Sequence, residues 1–253
     1  MTWVIGRAGP FGHAAGLSDI RVTLSDQSEH DCLQKIHRVT PNMVLGFAGS
    51  VAIGLEAVAQ MRVALHREDE SDRWDPGYVA ETLPDGMRKL FDSFPDQEKA
   101  LACELMLLSA HPARNDGPAP WARCYVHRFY SPDFEPSEAA PGQIVSIGSG
   151  AAVAPYAQAL EKLGSDMDMF KLEVGYSGGS ALGLMVSLSS VLERNPTKGI
   201  SQLLQICIVG RDEVRFGSNG TDAEAMPEVA REMLELRSLL GKLGASSVEL
   251  ATC

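Results

Sequence analysis

Four short apolar segments occur in the first fifty residues, and each is interrupted only at isolated polar positions. They span residues 2–5, 13–23, 33–36 and 43–50. Short apolar runs bounded by Gly, Pro and Asn are typical of β-strands rather than helices. We therefore expect the start of the chain to form the strands around which the rest of the fold is organised.

Thr2 stands directly before the first of these strands, so removal of Met1 would leave a threonine with a free α-amino group. Such a residue carries both a hydroxyl nucleophile and a general base, because the α-amino pKa of about 7.7 to 8.0 leaves much of the amine neutral near physiological pH. A threonine after the initiator also simply suits a strand and permits methionine removal. Position alone favours this second interpretation.

Further motifs follow Thr2 in a fixed order. The second strand ends in Asp19 followed by x-Arg-x-Thr, a Lys35-Ile36 pair comes next, and a later strand ends Gly-Phe-Ala-Gly-Ser at Ser50. Far downstream, Ile-Gly-Ser-Gly at residues 147–150 precedes an alanine-rich run. In this order and spacing the motifs resemble the proteasome β-subunits and the bacterial ATP-dependent heat-shock peptidase, which are N-terminal nucleophile (Ntn) hydrolases.

The resemblance implies a catalytic role for each matched residue. Thr2 would be the nucleophile, Lys35 would lower the pKa of the threonine hydroxyl and amine, and Asp19 would orient Lys35. The backbone N–H of Gly49 would stabilise the oxyanion, and Ser149 would hydrogen-bond the amine of Thr2.

Each of these residues also has a structural interpretation. Lys35 can extend its tip to solvent at a sheet edge, and Asp19 can end a strand and shape a turn. Gly49 can serve a strand-to-helix turn, and Ser149 can belong to a Gly-Ser-Gly turn before a helix.

One element of the family pattern, Asp-x-x-Ser before a strand, has two partial matches. Residues 174–179 contain Ser177 but have Val174 at the acidic position, and residues 198–201 end in Ser201 but have Lys198 there. We prefer Ser201 because a strand pattern follows it. The acidic residue is missing in both alignments, which favours a non-catalytic relative.

Composition narrows the class of protein. The chain has 253 residues, 45% of them hydrophobic, which suits one domain (residues 1–253). Its net charge of −11 argues against nucleic-acid or anionic membrane partners. No signal peptide or membrane-spanning run is present, which predicts a cytoplasmic protein. No metal or organic cofactor is implied, and no C-x-x-C pair occurs among the five cysteines, Cys32, Cys103, Cys124, Cys207 and Cys253.

The order of elements predicts an α+β fold. Helices are expected at residues 50–66, 78–94 with a break or kink at 84–86, 151–163, 180–193 and 227–242. Strand hairpins are expected at 101–110 with 121–130 and at 200–209 with 213–216, and residues 24–31 should be a solvent-facing excursion. Two sheets covered by helices give a four-layer α-β-β-α sandwich, which the Ntn resemblance also implies. Residues 218–253 form a C-terminal extension with the extra helix.

The leading hypothesis is a threonine-type endopeptidase that cleaves peptide bonds through an acyl-enzyme on Thr2. The resemblance implies a homo-oligomeric ring that takes peptides or unfolded protein, with an unfolding ATPase as a further partner. The alternatives are a non-catalytic proteasome-like subunit for assembly or regulation, and an Ntn amidohydrolase acting on a small amide.

Overall fold

The computed structural model describes residues 2–9, 12–23, 27–66, 74–112, 123–165 and 179–218. The strands are β1 (Val4–Ala8), β2 (Ala14–Asp19), β3 (Arg21–Thr23), β4 (Glu29–Asp31), β5 (Ile36–Thr40), β6 (Met43–Gly49), β7 (Cys103–Ala110), β8 (Cys124–Tyr130), β9 (Ser137–Glu138), β10 (Ile144–Ile147), β11 (Leu204–Val209) and β12 (Val214–Ser218). The helices are α1 (Val51–Ala64), α2 (Pro76–Ser93), α3 (Asp96–Lys99), a 3-10 turn (Ser149–Ala152), α4 (Ala154–Gly164) and α5 (Gly179–Arg194).

The strands form two five-stranded sheets and one small hairpin. The first sheet has the order β10-β1-β2-β11-β12 and the second has the order β5-β6-β7-β8-β9, while β3 pairs only with β4. Every pairing is antiparallel. All residues of β1 and β2 are buried, as expected for strands covered on both faces.

Three apolar clusters hold these elements together. One cluster contains side chains from both sheets, including Val4, Ile36, Met106 and Cys207, so the two sheets share a core. A second cluster joins α1 and α2 to the second sheet, and a third joins α4 and α5 to the first sheet. The fold is therefore mixed α+β, with antiparallel sheets and five helices in the described ranges.

Helix α1 begins at Val51, directly after Ser50, the residue that was predicted to cap it. Ser50 accepts a hydrogen bond from the Ile53 N–H at 3.2 Å, which satisfies a backbone donor that the first turn leaves open. A break or kink was predicted at residues 84–86; the break is wrong, because α2 runs without interruption through Pro84. Pro84 lies on the buried face with Leu83 and Met87, and the packing of this face offsets the hydrogen bond that proline cannot make.

In the predicted solvent-facing excursion at residues 24–31, the described residues 27–31 are exposed or half-buried, and part of this segment forms β4, which pairs with β3. The hairpin is stabilised by charged side chains rather than by an apolar pattern.

Other elements also differ from the prediction. Lys35 lies one residue before β5 instead of on a strand, and neither α3 nor β9 was expected. The predicted helix at 227–242, most of the extension 218–253, and Ser177 lie outside the described residues.

None of the helices in the described ranges is long and apolar enough to cross a membrane. Four cysteines in the same part of the chain are free thiols, and Cys253 lies outside it. Burial raises the pKa of Cys103 and of Cys207 to about 12, so both thiols stay protonated at neutral pH and act as core residues.

Packing of α1 on the second sheet depends on Gly54. A Cβ at this position would lie 2.3 Å from the ring of Phe47, which is fully buried. We expect Gly54→Ala to lower the free energy of unfolding in urea by about 1–3 kcal/mol through overpacking. The control is Gly86→Ala in α2, because a Cβ at this position would have no atom within 4 Å outside its own helix backbone. It should be neutral or stabilising by up to about 1 kcal/mol, and equal losses in both variants would contradict this packing.

Candidate active site

The carboxylate of Asp19 is the centre of a buried polar cluster at the end of β2. Its Oδ1 accepts the backbone N–H of Trp3 at 2.7 Å, and its Oδ2 accepts the ammonium of Lys35 at 2.8 Å. The backbone N–H of Arg21 donates to the same Oδ2 at 3.1 Å. Asp19 therefore joins the backbone next to Thr2 to the ammonium of Lys35.

Lys35 is buried to its tip, with 1% of its surface exposed. This excludes the interpretation in which its ammonium reaches solvent at a sheet edge. Loss of hydration lowers the pKa of the Lys35 ammonium, and the negative charges of Asp19 and Asp31 oppose that shift. The Nζ of Lys35 is therefore fixed in place by Asp19 and held away from water.

Gln205 on β11 fixes the backbone around Lys35. Its Oε1 accepts the N–H of Ile36 at 3.2 Å and the hydroxyl of Ser18 at 3.1 Å, and its Nε2 donates to the carbonyl of Ile36 at 2.9 Å. The fully buried amide thus links the first sheet to the edge of the second. Sequence reasoning missed Gln205, although a single amide on an apolar strand was the signal that marked it.

Thr2 contacts the loop that follows β10. Its backbone N–H donates to Ser149 Oγ at 3.0 Å, and its carbonyl accepts the N–H of Gly150 at 3.0 Å. Gly148 has a φ of +84°, and a Cβ there would lie 2.4 Å from the carbonyl oxygen of Thr2. Only glycine allows this approach, so the Gly-Ser-Gly sequence places Ser149 beside the nitrogen of Thr2.

Glu104 on β7 holds the same loop from the second sheet. Its Oε2 accepts the N–H of Gly148 at 2.8 Å. Sequence reasoning missed this carboxylate as well, because the contact joins residues 44 positions apart and depends on how the sheets face each other.

Gly49 lies at the end of β6, next to this loop. Its φ is +91°, and a Cβ there would lie 2.5 Å from the carbonyl oxygen of Ala102, so the backbone turn itself requires glycine. The neighbouring Ala48 has its Cβ 3.0 Å from the position that a Cβ on Gly148 would take. The end of β6 is therefore packed against the loop that contacts Thr2.

Ser201 completes the cluster from the segment before β11. It is fully buried, its N–H points to Asp19 Oδ2 at 3.5 Å, and its Oγ accepts the N–H of Leu203 at 2.9 Å. The strand begins at Leu204 rather than directly after Ser201. Lys198 is exposed, so the acidic position of the family pattern holds a solvent-facing cation.

The structure thus brings the predicted residues into two groups, Thr2 with Ser149 and Asp19 with Lys35 and Ser201. The two groups are joined through Trp3, which follows Thr2 and whose N–H binds Asp19. Gly49 lies at the strand end that packs against the loop of Ser149. No protein family model and no curated protein matches this chain significantly. Among solved structures it is similar to a Gly-1 mutant of Anbu from Hyphomicrobium sp. strain MC1, with a TM-score of 0.62, 14% identity and full coverage of both chains.

Anbu is a bacterial protein of the proteasome-like Ntn-hydrolase class. The fold is proteasome-like. This likeness concerns the fold, and the resemblance to the proteasome β-subunits themselves rests on the sequence motifs.

The buried pair predicts a specific pattern of stability changes. Lys35→Met leaves the Asp19 carboxylate buried without its cation, so we expect the free energy of unfolding to fall by about 3–5 kcal/mol. The double variant Asp19→Asn/Lys35→Met should lose less than the sum of the two single variants, as measured by a double-mutant cycle in urea.

The surface pair of Lys99 and Asp96 is a matched control, because its N–O distance is also 2.8 Å but Asp96 is almost fully exposed. Lys99→Met should leave the free energy of unfolding almost unchanged. Additive losses at Asp19 and Lys35 would contradict an energetically coupled pair.

Proposed function

We propose that this chain is a threonine-type Ntn endopeptidase whose nucleophile is Thr2 after removal of Met1. The observation that carries the proposal is the Asp19 carboxylate, which binds both the N–H of Trp3 and the ammonium of Lys35. One buried anion therefore positions the residue after the nucleophile and the cation that activates it.

The chemistry follows from these groups. The free amine of Thr2 accepts the proton of the Thr2 hydroxyl as its oxygen attacks the substrate carbonyl. The amine then gives this proton to the leaving nitrogen when the peptide bond breaks, which leaves an ester on Thr2. A water molecule hydrolyses the ester, with the amine again accepting and returning the proton. The ammonium of Lys35 stabilises the negative charge that develops on the threonine oxygen.

The remaining residues position the reacting groups. Ser149 Oγ lies 3.0 Å from the nitrogen of Thr2, which suits a partner that orients the amine once Met1 is gone. The backbone N–H of Gly49 is the oxyanion donor in this proposal, and the packing of Ala48 against Gly148 supports it. Ser201 supports Asp19 through its backbone N–H.

Architecture and assembly belong to the same proposal. The shared core of the two sheets and the helix clusters on each sheet support a four-layer α-β-β-α sandwich formed as one domain. The proteasome-like fold supports a homo-oligomeric ring that encloses its nucleophiles. Peptides or unfolded protein are the substrates in this proposal, and an unfolding ATPase is the partner that delivers them.

The decisive test compares Thr2→Ala with wild type after intact-mass measurement of the native N-terminus. We expect a mature chain that begins at Thr2, and a loss of peptide hydrolysis of about 10³-fold or more in the variant, because the nucleophile is removed. Thr2→Ser should retain measurable hydrolysis, since it keeps a hydroxyl and an amine on one residue.

Thr82→Ala is the control, because Thr82 is an exposed threonine of α2 whose hydroxyl donates to the carbonyls of Tyr78 and Val79 in its own helix. It should hydrolyse peptides as wild type does. Equal activity in Thr2→Ala and wild type would remove Thr2 from the mechanism. A native chain that retains Met1 would instead favour the non-catalytic subunit, because the amine would be acylated.

A further inference from the structure

Asp31 is a carboxylate at the end of β4 that the proposed mechanism does not use. Arg21 on β3 binds it with two hydrogen bonds, Nε to Oδ1 at 2.7 Å and Nη2 to Oδ2 at 2.9 Å. The same guanidinium also donates through Nη1 to Glu29 Oε2 at 2.8 Å. Asp31 and Glu29 therefore share the guanidinium of Arg21 on the hairpin. The surroundings of Asp31 also include groups of the candidate active site.

Asp31 is connected to that site through three neighbouring groups. The hydrogen bonds from Arg21 hold the pKa of Asp31 below its usual value, and Ser201 and the charge of Lys35 act more weakly in the same direction. The Ser201 backbone and the Arg21 backbone both point to Asp19 Oδ2, at 3.5 and 3.1 Å. The hydrogen bonds thus run from Asp31 through Arg21 to the Asp19 carboxylate that binds Lys35.

The charge balance around Lys35 also depends on Asp31. Asp31 raises the pKa of the Lys35 ammonium, and Arg21 lowers it, so the two side chains oppose each other at this site. Beyond the hairpin, a cavity of about 420 Å³ is lined by Arg21, Asp31 and Lys198 among others. The charged groups facing Asp31 are therefore mostly cations, and its removal would leave Arg21 only partly neutralised by Glu29.

We propose that Asp31 is a positioning residue for the hydrolysis, which acts through Arg21, whose side chain binds Asp31 and whose backbone N–H binds Asp19, to hold the Asp19 carboxylate and Lys35 in place. This inference rests on the proposed function. It assigns to the β3–β4 hairpin the acidic charge that is missing at Lys198, and it explains why a charged hairpin lies directly against the buried pair.

The test uses two neutral variants of the same hairpin, Asp31→Asn and Glu29→Gln, in the mature protein. Both remove one negative charge from a partner of Arg21, with similar exposure of the two carboxylates at 27% and 21%. We expect Asp31→Asn to lower kcat/KM for a peptide substrate about tenfold, as for loss of a charged hydrogen-bond partner. The alkaline limb of its pH profile should move to lower pH, because Lys35 loses its proton more readily.

Glu29→Gln should leave the pH profile in place, and Asp31→Glu should restore it because the carboxylate is kept. Asp31→Ser is a second neutral variant, which gives the same readout if Asp31→Asn does not fold. Equal shifts in the Asp31 and Glu29 variants, or no shift in either, would overturn the role of Asp31.

A second readout does not require activity. The Nζ of Lys35 is titrated by NMR in protein with ¹⁵N-labelled lysine, with Lys35→Met to assign the signal. We expect Asp31→Asn to lower the Lys35 pKa relative to Glu29→Gln, and equal values would overturn the inference. If peptide hydrolysis does not depend on Thr2, the proposed function fails, whereas this titration still decides whether Asp31 controls Lys35.

Discussion

The buried ion pair between Asp19 and Lys35 is the interaction on which the rest of the structure depends. An isolated charge in a protein interior is strongly unfavourable, so each member requires the other and requires hydrogen bonds for its remaining polar atoms. Asp19 obtains them from the backbone N–H of Trp3, just before β1, and of Arg21 on β3, and the backbone beside Lys35 obtains them from Gln205. The pair therefore sets how the first sheet meets the edge of the second.

This constraint also explains why the candidate site lies where it does. The first strand of the chain cannot shift without losing the bond between the Trp3 N–H and Asp19, so the residue before it is held as well. On its other side, Thr2 is held by the loop of Gly148 and Ser149, which Glu104 ties to the second sheet. A single residue at the front of the chain is thus positioned by both sheets.

Apolar patterns predicted the elements that they stabilise. The hairpin of β5 and β6, the helix capped by Ser50 and the closing strands β11 and β12 were all expected from apolar segments separated by turn residues. The apolar pattern did not predict the elements whose formation depends on charged side chains or on packing against a sheet. The β3–β4 hairpin is held by Arg21 and its two carboxylates, and α2 continues through Pro84 because its buried face packs on the second sheet. Local sequence contains neither of these long-range effects.

The candidate site was predictable only in part, for a similar reason. The motifs indicated which residues to consider, and the structure brings Asp19, Lys35 and Ser201 together from three separate segments. Gln205 supports the backbone beside Lys35, Glu104 supports the loop that contacts Thr2, and Asp31 binds Arg21 beside Asp19, through contacts that arise from the register of strands and the facing of two sheets. Glu104 and Asp31 stand in no motif, and the single amide of Gln205 on an apolar strand does not show which groups it contacts, so the fold was needed to place all three.

The central claim is that one hydroxyl, on Thr2, reacts beside the ammonium of Lys35. A crystal structure of the mature chain soaked with a peptide aldehyde measures this directly, because an aldehyde forms a hemiacetal with a reactive hydroxyl. We expect a covalent bond to Thr2 Oγ1, with Lys35 Nζ at about 3 Å from that oxygen. An unmodified Thr2, an adduct on another residue, or a Lys35 ammonium out of reach of the Thr2 oxygen would contradict the claim.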